Sequence, residues 1–381
     1  MKIKIPFNIP PQTGKELEYI KHVFKNNHLT GDGEFTKKCS ELMENKFDAS
    51  RVILTTSGTH ALDMAAILLD LKKGDEVIVP SFTFSSTVNA FVLRGATPVF
   101  IDIKEDTLNI KEDLIEESIT KNTKAIFLVH YAGISCDIDR IKKIAKKYNL
   151  FIVEDAAQAI NAKYKDTYLG TIGDFGIFSF HETKNYSCGE GGALIINNKK
   201  FIERAEIIRE KGTDRSKFYR GEVDKYTWVD VGSSFLPSEI LAAVLYTQLE
   251  NMDKIQNKRK SIYNYYYKKL KPLEGAGKLT LPIIPKNNSC NYHMFYVLLP
   301  TEKIRNELMS FLKKKSILAV FHYLPLHLSK MGRKYNYKKN DLPITENISG
   351  KILRLPFYFS LSKNEINIVV KNINNYFKIN G

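Results

Sequence analysis

From residue 51 to about 155 the chain alternates short apolar runs with stretches in which apolar residues recur every three or four positions. "EVIVP" (76–80), "TPVFID" (97–102), "AIFLVH" (125–130) and "LFIVED" (150–155) are short and almost continuously apolar, as strands buried on both faces are. Helical spacing lies between them, at 59–70 and 138–148. Strands that alternate with helices predict βαβ units and a mainly parallel sheet covered on both sides. "FGIFSF" (175–180) and "GALIIN" (192–197) read as two further strands.

Towards the N-terminus, Thr13 and Glu16 have the spacing of a capping box, and Leu17, Ile20 and Phe24 share one predicted apolar face. Residues 212–234 keep neither period, and a stretch of that length without structure is usually functional or mobile. A single long helix is expected over 237–270, with Pro237 in its first turn. Strands near 292–299 and 317–321 and helices near 303–314 and 363–377 form the expected remainder. The pattern divides the chain into a large domain over 1–245 and, over 246–381, a linking helix with a small α+β domain. There is no internal repeat and no low-complexity tract.

Composition adjusts this picture without replacing it. With 381 residues, 43% of them hydrophobic, the chain can bury two cores and is not disordered. Its net charge of +15 favours an anionic partner, whether nucleic acid, an acidic surface or a phosphorylated small molecule. Much of that charge is lysine on the polar face of helices such as "DIDRIKKIAKKYN" (137–149). The four cysteines, Cys39, Cys136, Cys188 and Cys290, have neither paired nor zinc-ligand spacing, so we expect a reduced compartment and no metal. No leader-like or bilayer-length apolar run interrupts the sequence, and a cytoplasmic location without membrane partner follows as an expectation.

Three local features carry candidate chemistry. Gly58 and Thr59 in "TTSGTHALDMAA" (55–66) stand at the start of a predicted helix, where exposed amides suit a phosphate. The strand "LFIVED" ends in Glu154 and Asp155, at the end of a parallel strand where ligand crevices form. Lys184 follows the buried strand that ends near Ser179 and precedes Gly189, Gly191 and Gly192, which permit close backbone approach. A lysine, a carboxylate and a phosphate cradle together suit pyridoxal 5'-phosphate, which needs a covalent amine, a partner for its ring nitrogen and an anion site. Phe82 and Phe84, at the end of another strand, are candidates to stack on its ring.

The same residues lie in motifs that resemble a known family. "SGTHAL", "PSFTFSSTVNAFVLRGATPVFID", "VEDAAQA", "FSFHETKNYSCGEGG" and "VFHYLPLH" resemble, in order and over nearly the whole chain, the DegT/DnrJ/EryC1/StrS sugar aminotransferases of fold-type I. The resemblance implies an α/β large domain around a mostly parallel seven-stranded sheet, a small C-terminal domain, and a homodimer with shared active sites. Carried over, Lys184 would bind the cofactor covalently, Asp155 would pair with its ring nitrogen, and Gln158 would approach the ring hydroxyl. Phe84 would stack on the ring, while Gly58, Thr59 and Ser179 would hold the phosphate. Where many members have a Gly-Tyr-Asn run whose Asn reaches the partner's phosphate, this chain has Gly232-Ser233-Ser234, so Ser234 is the candidate there.

The resemblance further implies L-glutamate as amino donor and a dTDP-linked 4-keto-6-deoxy sugar as acceptor, with an amino sugar for a surface polysaccharide as product. His181, His322 and His327 fall near the implied site. Arg215, Arg220, Lys225, Tyr226 and Trp228 interleave cations and rings in the irregular segment, a composition suited to a diphosphate and a stacked base. Such interleaving also suits single-stranded nucleic acid. A nucleic-acid-binding module has no need of Lys184 and its partners, however, and we expect no nucleic-acid partner. A second rival is a dehydratase on the same fold with histidine in place of the lysine, and the lysine at 184 counts against it.

Overall fold

The computed structural model describes residues 3–380. Its central sheet has the order β1-β9-β8-β5-β4-β2-β3. These strands are β1 (Arg51–Thr55), β2 (Glu76–Pro80), β3 (Thr97–Ile101), β4 (Thr123–Val129), β5 (Phe151–Asp155), β8 (Phe175–Ser179) and β9 (Gly192–Ile196). β3, β2, β4, β5 and β8 are mutually parallel neighbours, whereas β9 runs antiparallel to both β8 and β1. Six of the seven coincide with the apolar runs in the sequence, and β1 is the addition.

Successive side chains along a strand face opposite sides, so one strand feeds two cores. In β2, Val77 and Val79 pack with α3 (Gly58–Leu68) and α4 (Ser85–Val92), whereas Ile78 packs with α5 (Ile138–Tyr148). In β9, Leu194 and Ile196 join the first of these cores, and Ala193 and Ile195 pack towards α2 (Glu34–Phe47) and α8 (Glu239–Glu250). Local chemistry sets the helix ends. Ser57 caps α3 by accepting the His60 amide, Asp137 caps α5 by accepting the Arg140 amide, and Asn149 closes α5 in the left-handed region at φ 52°.

Several expectations need correction. The helix expected over 237–270 is two, α8 and α9 (Met252–Gly275), separated at Asn251, whose side chain turns back to the Thr247 carbonyl at 2.9 Å. Ser238 caps α8, so Pro237 precedes the helix instead of opening it. The run 317–321 is not a strand, since Val320 pairs only with Arg354 as an isolated bridge. α1 (Glu16–Lys25) buries Val23 and leaves Leu17 73% and Phe24 54% exposed. The helix turns Tyr19 towards Phe35 and Tyr246, and that contact sets which face is covered. Thr13 and Glu16 do interact, with the Glu16 carboxylate accepting the Thr13 amide and hydroxyl at 2.6 and 2.8 Å.

The core changes within α9: Met252 and Ile255 pack with the large sheet, while Ile262, Tyr266 and Leu270 join the C-terminal core. That core holds β11 (Tyr296–Leu298), paired antiparallel with β12 (Ile352–Arg354), with α10 (Glu302–Lys314) and α12 (Lys363–Asn380) against them. Ile5 reaches it from the N-terminal segment. The remaining strands are short: β6 (Lys163–Tyr164), β7 (Thr167–Tyr168) and β10 (Asn288–Ser289) form a small sheet of order β10-β6-β7. α6 (Ile202–Arg209), α7 (Arg215–Tyr219) and α11 (Pro343–Lys351) complete the helices used below. Among the described residues no helix is long and apolar enough to cross a membrane, and no group of three or more His, Cys, Asp or Glu could hold a metal ion.

Candidate active site

β5 and β8 are adjacent and parallel, with Asp155 opposite Ile177, so their carboxyl ends open on the same side of the sheet. The two acids that close β5 face opposite ways. Glu154 is fully buried beneath the site, where its carboxylate accepts the amides of Gly170, Ile172 and Gly173 and pairs with His130 Nε2 at 2.9 Å. Burial pushes its pKa up, but His130 and the amides outweigh that and hold it below the ordinary value. Asp155 faces the crevice and is 6% exposed. Its carboxylate accepts the Thr87 hydroxyl at 2.6 Å and the Ala157 amide at 3.1 Å, which fixes it on the first turn after the strand.

Lys184 sits on the turn that leaves β8, its amide bonded to the His181 carbonyl at 2.9 Å. Desolvation lowers its pKa to about 8; the Asp155 charge opposes this and the Arg354 charge adds to it. A substantial fraction of neutral amine is therefore available just above neutrality, which is what a nucleophile or proton carrier needs.

The candidate phosphate cradle lies at the start of α3. A Cβ placed on Gly58 would stand 2.9 Å from the Ser179 Cβ, and one on Gly192 would stand 2.4 Å from the Gly58 nitrogen, so both close approaches require glycine. The amides of Gly58 and Thr59 are first-turn donors without an intrahelical acceptor. Thr59 Oγ1 meets Ser86 Oγ at 2.8 Å, which links the cradle to α4, and Phe84 immediately precedes that helix, 59% exposed. Phe82 is buried in the core instead.

Gln158 accepts the Ala132 amide at 2.8 Å and donates to the Tyr323 hydroxyl at 2.9 Å. The Tyr323 ring lies 6.4 Å from Phe84 and stacks on His322, whose Nδ1 shares a 2.6 Å hydrogen bond with the Tyr131 hydroxyl. Desolvation and the neighbouring cations hold His322 well below the ordinary histidine range, so it is neutral. Thus Gly58, Thr59, Phe84, Asp155, Gln158, Ser179, Lys184 and His322 come together at one crevice.

The other candidates divide. His327 leaves the substrate-contacting set: it is fully buried, with Nδ1 on Ser81 Oγ at 2.7 Å and Nε2 on Glu346 at 3.2 Å, so both nitrogens are occupied. It ties the loop carrying Tyr323 to the end of β2. His181 is half-buried beside Thr183, 3.7 Å from Glu190. In the segment 212–234, Arg215 is held by Glu210 and Tyr219, and Arg220 by Glu206 and Glu222. Lys225, Tyr226, Trp228 and Ser234 are exposed, Trp228 at 75%. Residues 215–219 form α7, a short helix in a stretch that keeps no clear period. The segment returns towards the cradle at Phe235, whose carbonyl accepts the Thr56 amide at 2.9 Å and whose ring meets His60 edge-on.

Sequence reasoning missed Thr87, Tyr131, His293, Tyr323 and Arg354. Thr87 and Tyr323 lie inside motifs already singled out, three residues from Phe84 and one from His322. Tyr131 lies in the motif "HYAGISCDID" (130–139), and only His293 and Arg354 carry no local signal. His293 donates from Nδ1 to Asn185 Oδ1 at 2.9 Å, next to Lys184, and desolvation with the Lys184 charge keeps it neutral.

With this geometry the relationships to known proteins become informative. Residues 11–374 match the DegT/DnrJ/EryC1/StrS aminotransferase family. The chain belongs to that family. It is 34% identical to an uncharacterized protein of Methanocaldococcus jannaschii over 94% of each chain, and 33% identical to the GDP-perosamine synthase of Escherichia coli over 98% of each. Its fold matches that of a Streptococcus pneumoniae protein solved in its PMP form with a TM-score of 0.91, at 25% identity over 99% of this chain and 100% of that one. This aminotransferase therefore has the α/β architecture of PLP-dependent sugar aminotransferases, with the seven-stranded, mostly parallel sheet that its motifs imply.

Proposed function

We propose that this aminotransferase moves the amino group of L-glutamate to C4 of dTDP-4-keto-6-deoxy-D-glucose, giving dTDP-4-amino-4,6-dideoxy-D-galactose and 2-oxoglutarate. The observation that carries the transamination is the desolvated Lys184 amine, its pKa lowered to about 8 against the opposing charge of the anchored Asp155 carboxylate, on the same crevice as a glycine-lined helix start. The donor set fits pyridoxal 5'-phosphate, which when bound supplies an electron sink for negative charge at the carbon next to the transferred nitrogen. Asp155 supplies the fixed negative charge that keeps a ring nitrogen protonated. Gly58, Thr59 and Ser179 would hold the phosphate, Phe84 would stack on the ring, and Gln158 would approach its hydroxyl. Lys184 Nζ is the covalent anchor between turnovers. Released, it takes the proton from the donor α-carbon and, in the second half-reaction, delivers one to sugar C4.

The reading of the sugar rests on resemblance. "IPFNIPP", "LTGDGEFT", "HYAGISCDID", "IIREKGTDRSKFYRGEVDKYTW" and "DVGSS" look most like dTDP-4-amino-4,6-dideoxygalactose transaminase, whose product enters enterobacterial common antigen or related surface polysaccharides. Lys225, Tyr226 and Trp228 are the side chains we assign to the nucleotide, with Arg215, Arg220 and His181 at its edge. The working unit in this reading is a cytoplasmic homodimer. The exposed Leu17, Phe24 and Trp228 support a second copy covering apolar surface, and Ser234 is the residue we assign to its partner's cofactor phosphate. Four free, buried cysteines suit a reduced compartment.

Incubation with L-glutamate and dTDP-4-keto-6-deoxyglucose, followed by proton NMR, tests the product directly. A small coupling between H3 and H4 is expected for the galacto amine, and a large one rules it out. The GDP-linked 4-keto sugar, run in parallel because of the perosamine synthase relationship, tests the nucleotide: preference for GDP overturns the dTDP assignment.

A further inference from the structure

The chain's positive charge is not spread evenly over the molecule. Residues 1–245 hold 33 lysines and arginines against 34 acids, whereas residues 246–381 hold 24 against 8, so the whole excess lies in the C-terminal part. In the large domain cations are matched in place: around α5, Arg140 pairs with Asp113, Lys147 with Glu116 and Lys165 with Asp139. Among the described residues of the C-terminal part, Lys271 is the one lysine in an ion pair, with Glu274. The other acids of α9, α10 and α12 are already occupied, Asp253 with Lys46, Glu302 with Arg305, Glu307 with the Tyr376 hydroxyl and Glu365 with the Ser362 amide.

The unpaired lysines gather on one layer of helices. α12 lies between α9 and α10, joined to the first by the Tyr265 hydroxyl, which donates to Asn367 Oδ1 at 2.9 Å, and to the second by Tyr376 against Phe311. On α9, Lys254, Lys258, Lys268 and Lys269 recur on the side opposite the buried Tyr263, Tyr266 and Leu270. On α12, Lys371 and Lys378 stand about two turns apart on the outer side, which they share with Ile368 and Ile379, 41% and 73% exposed. Lys269 and Lys363 both lie over the Tyr265 ring, 5.4 and 5.8 Å from its centre, and neither has an acid within ion-pair distance among the described residues. Like charges held this close repel each other, and an anionic surface relieves them.

The layer has a defined orientation. Successive side chains of β11 and β12 alternate, so Val297 and Leu353 pack under these helices while Tyr296 and Ile352 join Phe82 and Tyr131 on the crevice side. The lysine face therefore points away from the crevice. We propose that this face docks the enzyme peripherally on an anionic phospholipid bilayer, with Ile368 and Ile379 entering the headgroup region and the crevice left open to substrate. Each clustered lysine adds attraction to a negative leaflet. The isoleucines among them favour lipid over nucleic acid, because a bilayer interface buries apolar side chains and a phosphate backbone does not. Contact of this kind needs no membrane-spanning helix, and it revises the expectation of no membrane partner, which rested on the lack of a bilayer-length apolar run. It is independent of which sugar the crevice accepts.

Flotation of the holoenzyme with lipid vesicles tests this. Phosphatidylcholine vesicles containing about 30% phosphatidylglycerol should carry the protein at about 0.05 M salt and release it near about 0.5 M, while pure phosphatidylcholine carries none. The variant with Lys258→Gln, Lys268→Gln, Lys269→Gln and Lys371→Gln should bind on the order of 100-fold more weakly and keep the parental transaminase activity. Removing the same charge from α5, with Lys142→Gln, Lys143→Gln, Lys146→Gln and Lys147→Gln, should change vesicle binding less than about 3-fold. Ile368→Ser with Ile379→Ser should weaken it about 10-fold and leave binding of a single-stranded oligonucleotide unchanged. No binding to the anionic vesicles overturns the proposal. So does an equal loss in the two lysine variants, which would make the effect one of net charge, or an oligonucleotide that binds through the same lysines more tightly than the vesicles do.

Discussion

The crevice at the carboxyl ends of β5 and β8 and the segment 212–234 are both polar and both drew attention in the sequence, yet they are built on opposite terms. In the crevice, ionisable groups are fixed by neighbours but kept short of charge partners: Lys184 is desolvated to a pKa of about 8, and Arg354 has no carboxylate within ion-pair distance among the described residues. In the segment, Arg215 and Arg220 are matched by Glu210, Glu206 and Glu222, while the rings of Tyr226 and Trp228 stand out in solvent. The first region holds electrostatic energy that a ligand can release. The second has already spent its arginine charge on folding, leaving apolar area and Lys225 for recognition. A count of cations therefore misreads where binding energy resides, and the missing partner is the better guide.

That contrast can be broken at either end. The largest effect belongs to Lys184→Ala, which should abolish the visible cofactor band near about 400–430 nm and lower the rate by roughly 10³-fold or more. An intact band would sink the covalent role. Asp155→Asn should retain some cofactor and lose on the order of 10²-fold in kcat, because an amide cannot supply the fixed charge; a near-parental rate would remove Asp155 from the chemistry. Trp228→Ala should raise the KM for the nucleotide sugar about 10-fold, the scale of one stacked base, and leave that for glutamate unchanged. Equal changes in both would argue for a structural role.

The smallest effects sharpen the comparison. Arg220→Gln should change the sugar KM less than about 3-fold, since its charge is already paired with the buried Glu206 and the exposed Glu222. Protonated Lys184 is disfavoured in the folded chain, so the unfolded chain binds more protons between pH 8 and 10.5 and stability rises with pH across that window. Cofactor-free Lys184→Met should accordingly melt roughly 2–4 °C above the parent at pH 7, a gap that closes as pH rises to 10.5. A constant gap would contradict the desolvation account. Because Arg354 adds to that shift, Arg354→Met should move the Lys184 titration upward.

Six of the seven central strands were legible because a parallel sheet covered on both faces writes continuous apolar runs. β1 was harder, a five-residue run opened by Arg51 and closed by threonine. Lys184, Asp155 and the Gly58 helix start were legible because each sits at the edge of such a run. Arg354 was not, since nothing near it in sequence distinguishes it from the chain's other cations; its character comes from what fails to pack beside it. His327 misled for the converse reason. Its motif marks the right loop, and only the bonds to Ser81 and Glu346 assign it to holding that loop. The break at Asn251 was invisible because apolar spacing continues across it while the core it serves changes within α9.

The two acids that end β5 make the strand behave like a reading frame. Glu154 reports to the scaffold and Asp155 to the reaction, and a shift of one residue exchanges them. Substitution scanning of the apolar residues before them should find wide tolerance. Deletion of any one of Phe151, Ile152 or Val153 should leave a chain that has lost a single apolar residue, keeps both acids and has no activity. For this enzyme, insertions and deletions in β5 are a sharper probe of the site than most point changes.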